Sequence, residues 1–118
     1  MRHNRYKYKL GVSPSHRTSL VRNLCVSLIE HSSIKTTHAK CKALRPVIER
    51  LVTLSKTDSV ANRRLAYKKL NNRSAVTNLF VNLGPKFKER KGGYTRITKV
   101  ADGRVGDNAA MGHISFVE

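Results

Sequence analysis

Apolar residues recur at spacings of three and four along most of this chain and at spacings of two near its carboxyl end. Those two periods predict helices first and strands last. The other segments are organised around residues 33–56. Ile34, Thr36 and Thr37 are β-branched and suit the pleated surface of a short strand. The period then changes. Cys41, Leu44, Ile48, Leu51 and Val52 form the apolar stripe of a helix starting near Thr37 or His38. Lys42, Arg45, Glu49 and Lys56 lie off that stripe, so the unit buries one face and shows a mostly cationic one. Pro46 removes one hydrogen bond in mid-helix, but the stripe stays in phase across it, which predicts one helix bent at the proline.

The same division recurs on either side. Ser13-Pro14 reads as an N-cap followed by proline in the first turn, opening a helix that runs to about His31. Its inward rows are Leu20, Val21, Leu24, Cys25, Leu28 and Ile29. Asp58 or Thr57 is expected to cap a third helix over 59–70, with Val60, Ala61, Leu65 and Leu70 on its apolar side and Arg63, Arg64, Lys68 and Lys69 on the other. Asn71-Asn72 breaks it. A fourth helix puts Ala75, Val76, Leu79, Phe80 and Leu83 on one face and ends at Gly84-Pro85, as a C′ glycine followed by proline. Phe87 tucks back onto the core. After a basic glycine turn at 90–94 come strands at 94–100 and 112–117, with Ile114 and Phe116 on one face. They form an antiparallel pair with a protruding tip, and residues 34–37 add as the third strand. The reading is α+β: a single domain of about four helices packed on a small three-stranded mixed sheet. It divides into an extended basic N-terminal arm, residues 1–13, and a globular domain, residues 14–118.

Charge changes the picture from fold to partner. The chain has 118 residues, with 24 Lys plus Arg against 7 Asp plus Glu, a net charge of +17. Such an excess repels itself and weakens a free globule. One charge run is usually a solvated face, but a small domain basic throughout points to a large polyanion that releases counterions on binding. A membrane is the other anionic surface, but no run approaches the roughly 18 apolar residues of a spanning helix. The basic start MRHNRYKYKLG has no apolar stretch behind it, unlike a secretory signal. Within the acid-free arm, Arg2, Arg5, Lys7 and Lys9 suit phosphates, and His3, Tyr6 and Tyr8 suit stacking on unpaired bases. Alternation of Tyr6, Tyr8, Leu10 and Val12 also fits a strand.

Candidate enzyme chemistry is thin. The acids are scattered, and His3, His16, His31, His38 and His113 form no HExxH or HxH pattern. Cys25 and Cys41 read as reduced core residues, and no CxxC pair exists for zinc. Asp107 with His113 is the one imaginable nuclease pair, and nothing supplies a metal cluster for it. No catalytic residue, metal site, cofactor or small-molecule substrate is expected. Gly92-Gly93 lacks the Walker pattern, but Arg90, Lys91 and Arg96 flank it and would suit a nucleic-acid backbone. DNA is the alternative partner, as for a nucleoid-type protein, since the helices meeting at Asn71-Asn72-Arg73 allow a helix-turn-helix. Charge on the arm, three helices and the hairpin favours a folded RNA that contacts many faces.

Several segments in series then point to a family. MRH at the start, SHRTSLVRNL at 15–24, IKTTHAKCKALRPVIE at 34–49, KTDSVANRR at 56–64, RKGGYTRI at 90–97 and RVGDNAAM at 104–111 cover essentially the whole chain in order. The sequence resembles the bacterial-type large-subunit ribosomal protein family that carries number seventeen. The resemblance implies a non-catalytic structural protein of the ribosome that binds large-subunit ribosomal RNA. It further implies a place on the solvent side near the peptide exit, beside large-subunit proteins twenty-two and thirty-two, in the cytoplasm or an organelle. Carried over by position, it implies RNA contacts at Arg2, His3, His16, Arg17, Arg22, Arg90, Arg96 and Arg104, with Gly92, Gly93, Gly106 and Asp107 shaping the loops. Lys35, Lys40, Arg63, Arg64, Lys91 and Lys99 complete the expected set with the arm residues Arg5, Tyr6, Lys7, Tyr8 and Lys9.

Overall fold

The computed structural model describes residues 13–117. The expected arm, apart from Ser13, lies outside the described residues. Helix α1 spans Pro14–His31, and the Ser13 hydroxyl accepts from the His16 N–H as its cap. Strand β1 (Ser33–Thr37) runs straight into α2 (His38–Ser55), a single helix with Pro46 inside it, capped by Thr37. Helix α3 spans Val60–Leu70. Helix α4 (Arg73–Asn78) widens into a π-turn over Leu79–Leu83 and closes as the short α5 (Gly84–Lys86), one continuous helical path. Strands β2 (Thr95–Lys99) and β3 (Met111–Phe116) complete an α+β fold.

The sheet order is β1-β3-β2 and both pairings are antiparallel, so the sheet is not mixed as expected. The junction between β1 and α2 explains this. No loop separates them, and the His38 N–H donates to the Ala110 carbonyl (2.8 Å). The end of β1 is thereby pinned to the start of β3, which sets the two strands head to tail. Register places Ile34, Ile114 and Ile97 side by side on the face that meets the helices.

All five α2 stripe residues are buried, and Cys25, Leu28 and Ile29 of α1 meet them. Leu20, Val21 and Leu24, expected to face inward, are only half-buried, so the first half of α1 stands partly clear of the core. Phe87 does return to the core, its ring 5.3 Å from Tyr94 and 6.0 Å from Phe116. Helix α3 departs most from expectation. Its buried residues are Ala66 and Leu70, whereas Val60, Ala61 and Leu65 are exposed. Its cap is Ser59, which accepts from the Asn62 N–H, because Asp58 is turned to Arg63 instead.

Gly84 is no C′ residue either. Its φ is −56°, ordinary right-handed helix. A Cβ there would strike the Ser55 carbonyl, so the glycine serves the close approach of two helices. Pro85 sits inside this continuous path and has no N–H to give to the turn before it. The wider π-turn before it keeps the helical path going where an ordinary turn would crowd the ring.

Candidate nucleic-acid interface

The outer face of the sheet is the residue set one position out of phase with the core. Lys35 lies opposite His113, which lies opposite Thr98; Ser33 and Arg96 flank Ser115 in the same way. Lys35, Arg96, Thr98 and His113 are exposed, and no helix among the described residues covers them. Period-two alternation against Ile114 and Phe116 was enough to place His113 and Ser115 here, yet neither was anticipated as part of a binding face. Lys99 lies at the sheet's end. Nearby, burial first and then the charges of Lys42 and Lys99 push the His38 pKa down. Lys40 is half-buried in the first turn of α2.

The glycine turn is built differently from the expected cradle. Arg90 Nε donates to the carbonyls of Gly92 (3.3 Å) and Gly93 (3.2 Å), so this cation shapes the turn. Gly93 has φ +64°, the left-handed region where a side chain is strained. Lys56 Nζ donates to the Arg90 carbonyl and lies 4.8 Å from the centre of the Tyr94 ring. Lys56 and then Thr53 at its hydroxyl draw the Tyr94 pKa down. Lys91 is exposed and projects from this fixed turn.

At the hairpin tip, Arg104 forms a paired contact with Asp107, Nε to Oδ1 at 3.0 Å and Nη2 to Oδ2 at 2.6 Å. Oδ1 also accepts from the Ala109 N–H (3.1 Å). The Arg104 guanidinium, and then that N–H, hold the Asp107 carboxyl well below the usual carboxylate range. Asp107 is thus taken up by the loop rather than offered to His113.

The helical cations divide in the same way. Arg63 is held by Asp58 through two bonds (2.6 and 2.8 Å) and lies 5.3 Å over the Phe80 ring. The Asp58 carboxyl is shifted down by that hydrogen bond. Arg22 Nε donates to the Lys69 carbonyl (3.2 Å), placing a cation at the α3 carboxyl end, where the helix dipole favours it. Arg64 is exposed on α3, as is His16 in the first turn of α1, and Arg17 is half-buried. Helix α3 packs mainly on α1, α2 and α4, so Arg63 and Arg64 belong to a surface separate from the sheet. Arg2, His3, Arg5, Tyr6, Lys7, Tyr8 and Lys9 lie outside the described residues.

Glu49 was missed as an organiser. Its Oε2 accepts from the Thr95 N–H (3.2 Å) and hydroxyl (2.9 Å), fastening β2 to α2, with Arg45 3.7 Å away. Its place beside the α2 stripe was the only available signal. Three acids therefore sit in local ion pairs with arginines: Glu49, Asp58 and Asp107. What remains on the outer sheet face is cationic and hydroxylic. A model of the family described as Ribosomal protein L17 matches residues 20–117 of this sequence. The chain belongs to the Ribosomal protein L17 family. As a member it is a structural ribosomal protein of the large subunit, a ribonucleoprotein component in translation. The L17 match covers every helix and strand except the first turns of α1. No helix among the described residues is long and apolar enough to cross a membrane.

Proposed function

We propose that this L17-family chain holds folded large-subunit ribosomal RNA, without catalysis, through the outer face of its sheet and the turns at either end of it. The observation that carries this reading is the sorting of charge. Glu49, Asp58 and Asp107 are drawn into pairs with Arg45, Arg63 and Arg104, while among the described residues Lys35, Arg96 and His113 share a face with no carboxylate. Edge-strand cations also deter sheet-to-sheet association, but that need not leave a whole face without an acid.

In this reading Lys35, Lys91, Arg96 and Lys99 neutralise phosphates. Arg90 and Arg104 hold Gly92-Gly93 and the hairpin tip in shape. His16, Arg17, Lys40 and Arg64 extend the footprint. Residues 1–13 add an arm to the globular part, 14–118, with the cations and rings of Arg2 to Lys9 on RNA. We further propose, as the family resemblance implies, a position on the solvent side of a cytoplasmic large subunit near the peptide exit, beside proteins twenty-two and thirty-two.

The test is affinity for a structured ribosomal RNA fragment across a salt series. Neutralising six to eight phosphates gives a log–log slope of about −5 or steeper. A slope near zero overturns the reading. Equal affinity for duplex DNA at the same salt would favour the DNA-binding alternative.

A further inference from the structure

The surface that sheet and hairpin leave unexplained is the groove between α3 and α4. It is open, has a volume of about 660 Å³, and is lined by Val60, Tyr67 and Val76 with Arg64, Lys68 and Arg73 around them. Val60, Arg64, Tyr67 and Lys68 fall at helical spacings of four, three and one, so they share one face of α3. Val60 is 67% exposed and Tyr67 40% exposed. The remaining cation of the lining, Arg63, is held by Asp58, and among the described residues no carboxylate lines the groove.

We propose that this groove takes one unpaired nucleotide of the ribosomal RNA, with its base on the Tyr67 ring and its flanking phosphates on Arg64, Lys68 and Arg73. The proposal rests on the RNA-binding reading and adds a site apart from the sheet. An accessible aromatic ring between cations is the arrangement on which unpaired bases stack while the backbone is neutralised. A paired duplex keeps its bases inside the stack and cannot offer one to the ring. A docked helix of another protein would need a row of apolar anchors along its length. The floor here is one ring and two valines, enough to cover a single base.

The test uses the full chain and two RNA hairpins of equal length, one fully paired and one carrying a single bulged 2-aminopurine. The wild type should prefer the bulged hairpin and quench its fluorescence. Tyr67→Ala should abolish the quenching and lower that preference by about fivefold or more, the loss that follows removal of one base–aromatic stack. Tyr67→Phe should retain both. Arg64→Glu, on the groove's rim, should reduce the preference without unfolding the chain. Binding of both hairpins without quenching, or unchanged preference in Tyr67→Ala, overturns the groove site alone. Failure to bind either RNA removes the RNA-binding reading and this site with it. An acidic amphipathic peptide that binds the groove in a Tyr67-dependent way, with hairpin preference unaffected, assigns the surface to a protein and also overturns it.

Discussion

The two faces of this small sheet are made from the same strands and differ only by a shift of one residue. One face carries Ile34, Ile97, Ile114 and Phe116 and lies under the helices. The other carries Lys35, Arg96, Thr98 and His113 and lies open. The inner face is closed further by Glu49, which binds Thr95 from α2. Among the described residues the outer face has no such clasp. A basic residue with an acid or carbonyl partner inside the chain, such as Arg63, Arg90 or Arg104, maintains shape. Among the described residues, the outer-face cations Lys35 and Arg96 have no such partner. Total charge alone cannot make that distinction, because both kinds contribute equally to +17.

If the faces are separable, substitutions should sort into those that move stability and those that move RNA affinity. Ile114→Ala has the largest expected effect. The side chain is fully buried, and truncation in a core costs about 2–5 kcal/mol. Thermal denaturation should show a melting temperature lower by about 10 °C or more, while the salt slope of the still-folded protein is unchanged. Glu49→Ala comes next, at about 1–3 kcal/mol, because the buried Thr95 N–H and hydroxyl lose their acceptor. Lys35→Ala and Arg96→Ala should change stability by less than about 0.5 kcal/mol, and each should reduce the RNA salt slope by about 1. A stability loss comparable to that of Glu49→Ala, with the slope intact, would erase the contrast between the faces.

Much of the inner face was readable from sequence, because a strong apolar period allows few arrangements. The α2 stripe, the Ser13 cap and the Ile114–Phe116 alternation all needed only local rules. Helix α3 misled because its few apolar residues do not share a face. Leu70 and Ala66 are in phase and buried, while Val60, Leu65 and Tyr67 are exposed. Gly84-Pro85 misled because a close approach to Ser55, a contact distant in sequence, leaves the same residue pair as a helix stop. The site was legible as a set of cations but not as a division of labour. Arg22, Arg90 and Arg104 find their partners through tertiary or loop geometry, and Lys35 meets His113 only through strand register.

The smallest expected effect concerns the hairpin tip, where the partnered kind of cation can be tested without touching the core. Arg104 lowers the Asp107 pKa in the folded chain. An ionised Asp107 therefore favours the folded loop. That contribution is complete above the ordinary Asp pKa of about 3.9 and is lost as pH falls below it toward the depressed folded value. Asp107→Asn removes the titration. Amide exchange at Asn108 and Ala109 should be faster in the variant than in the wild type near neutral pH. The two should converge as the wild type is acidified through that range. Because the pair is exposed, salt should narrow the difference as well. Arg104→Ala should loosen the same amides and reduce the RNA salt slope less than Lys35→Ala does. A slope loss equal to that of Lys35→Ala, with amide exchange unchanged, would move Arg104 from the cations that hold shape to those that hold RNA.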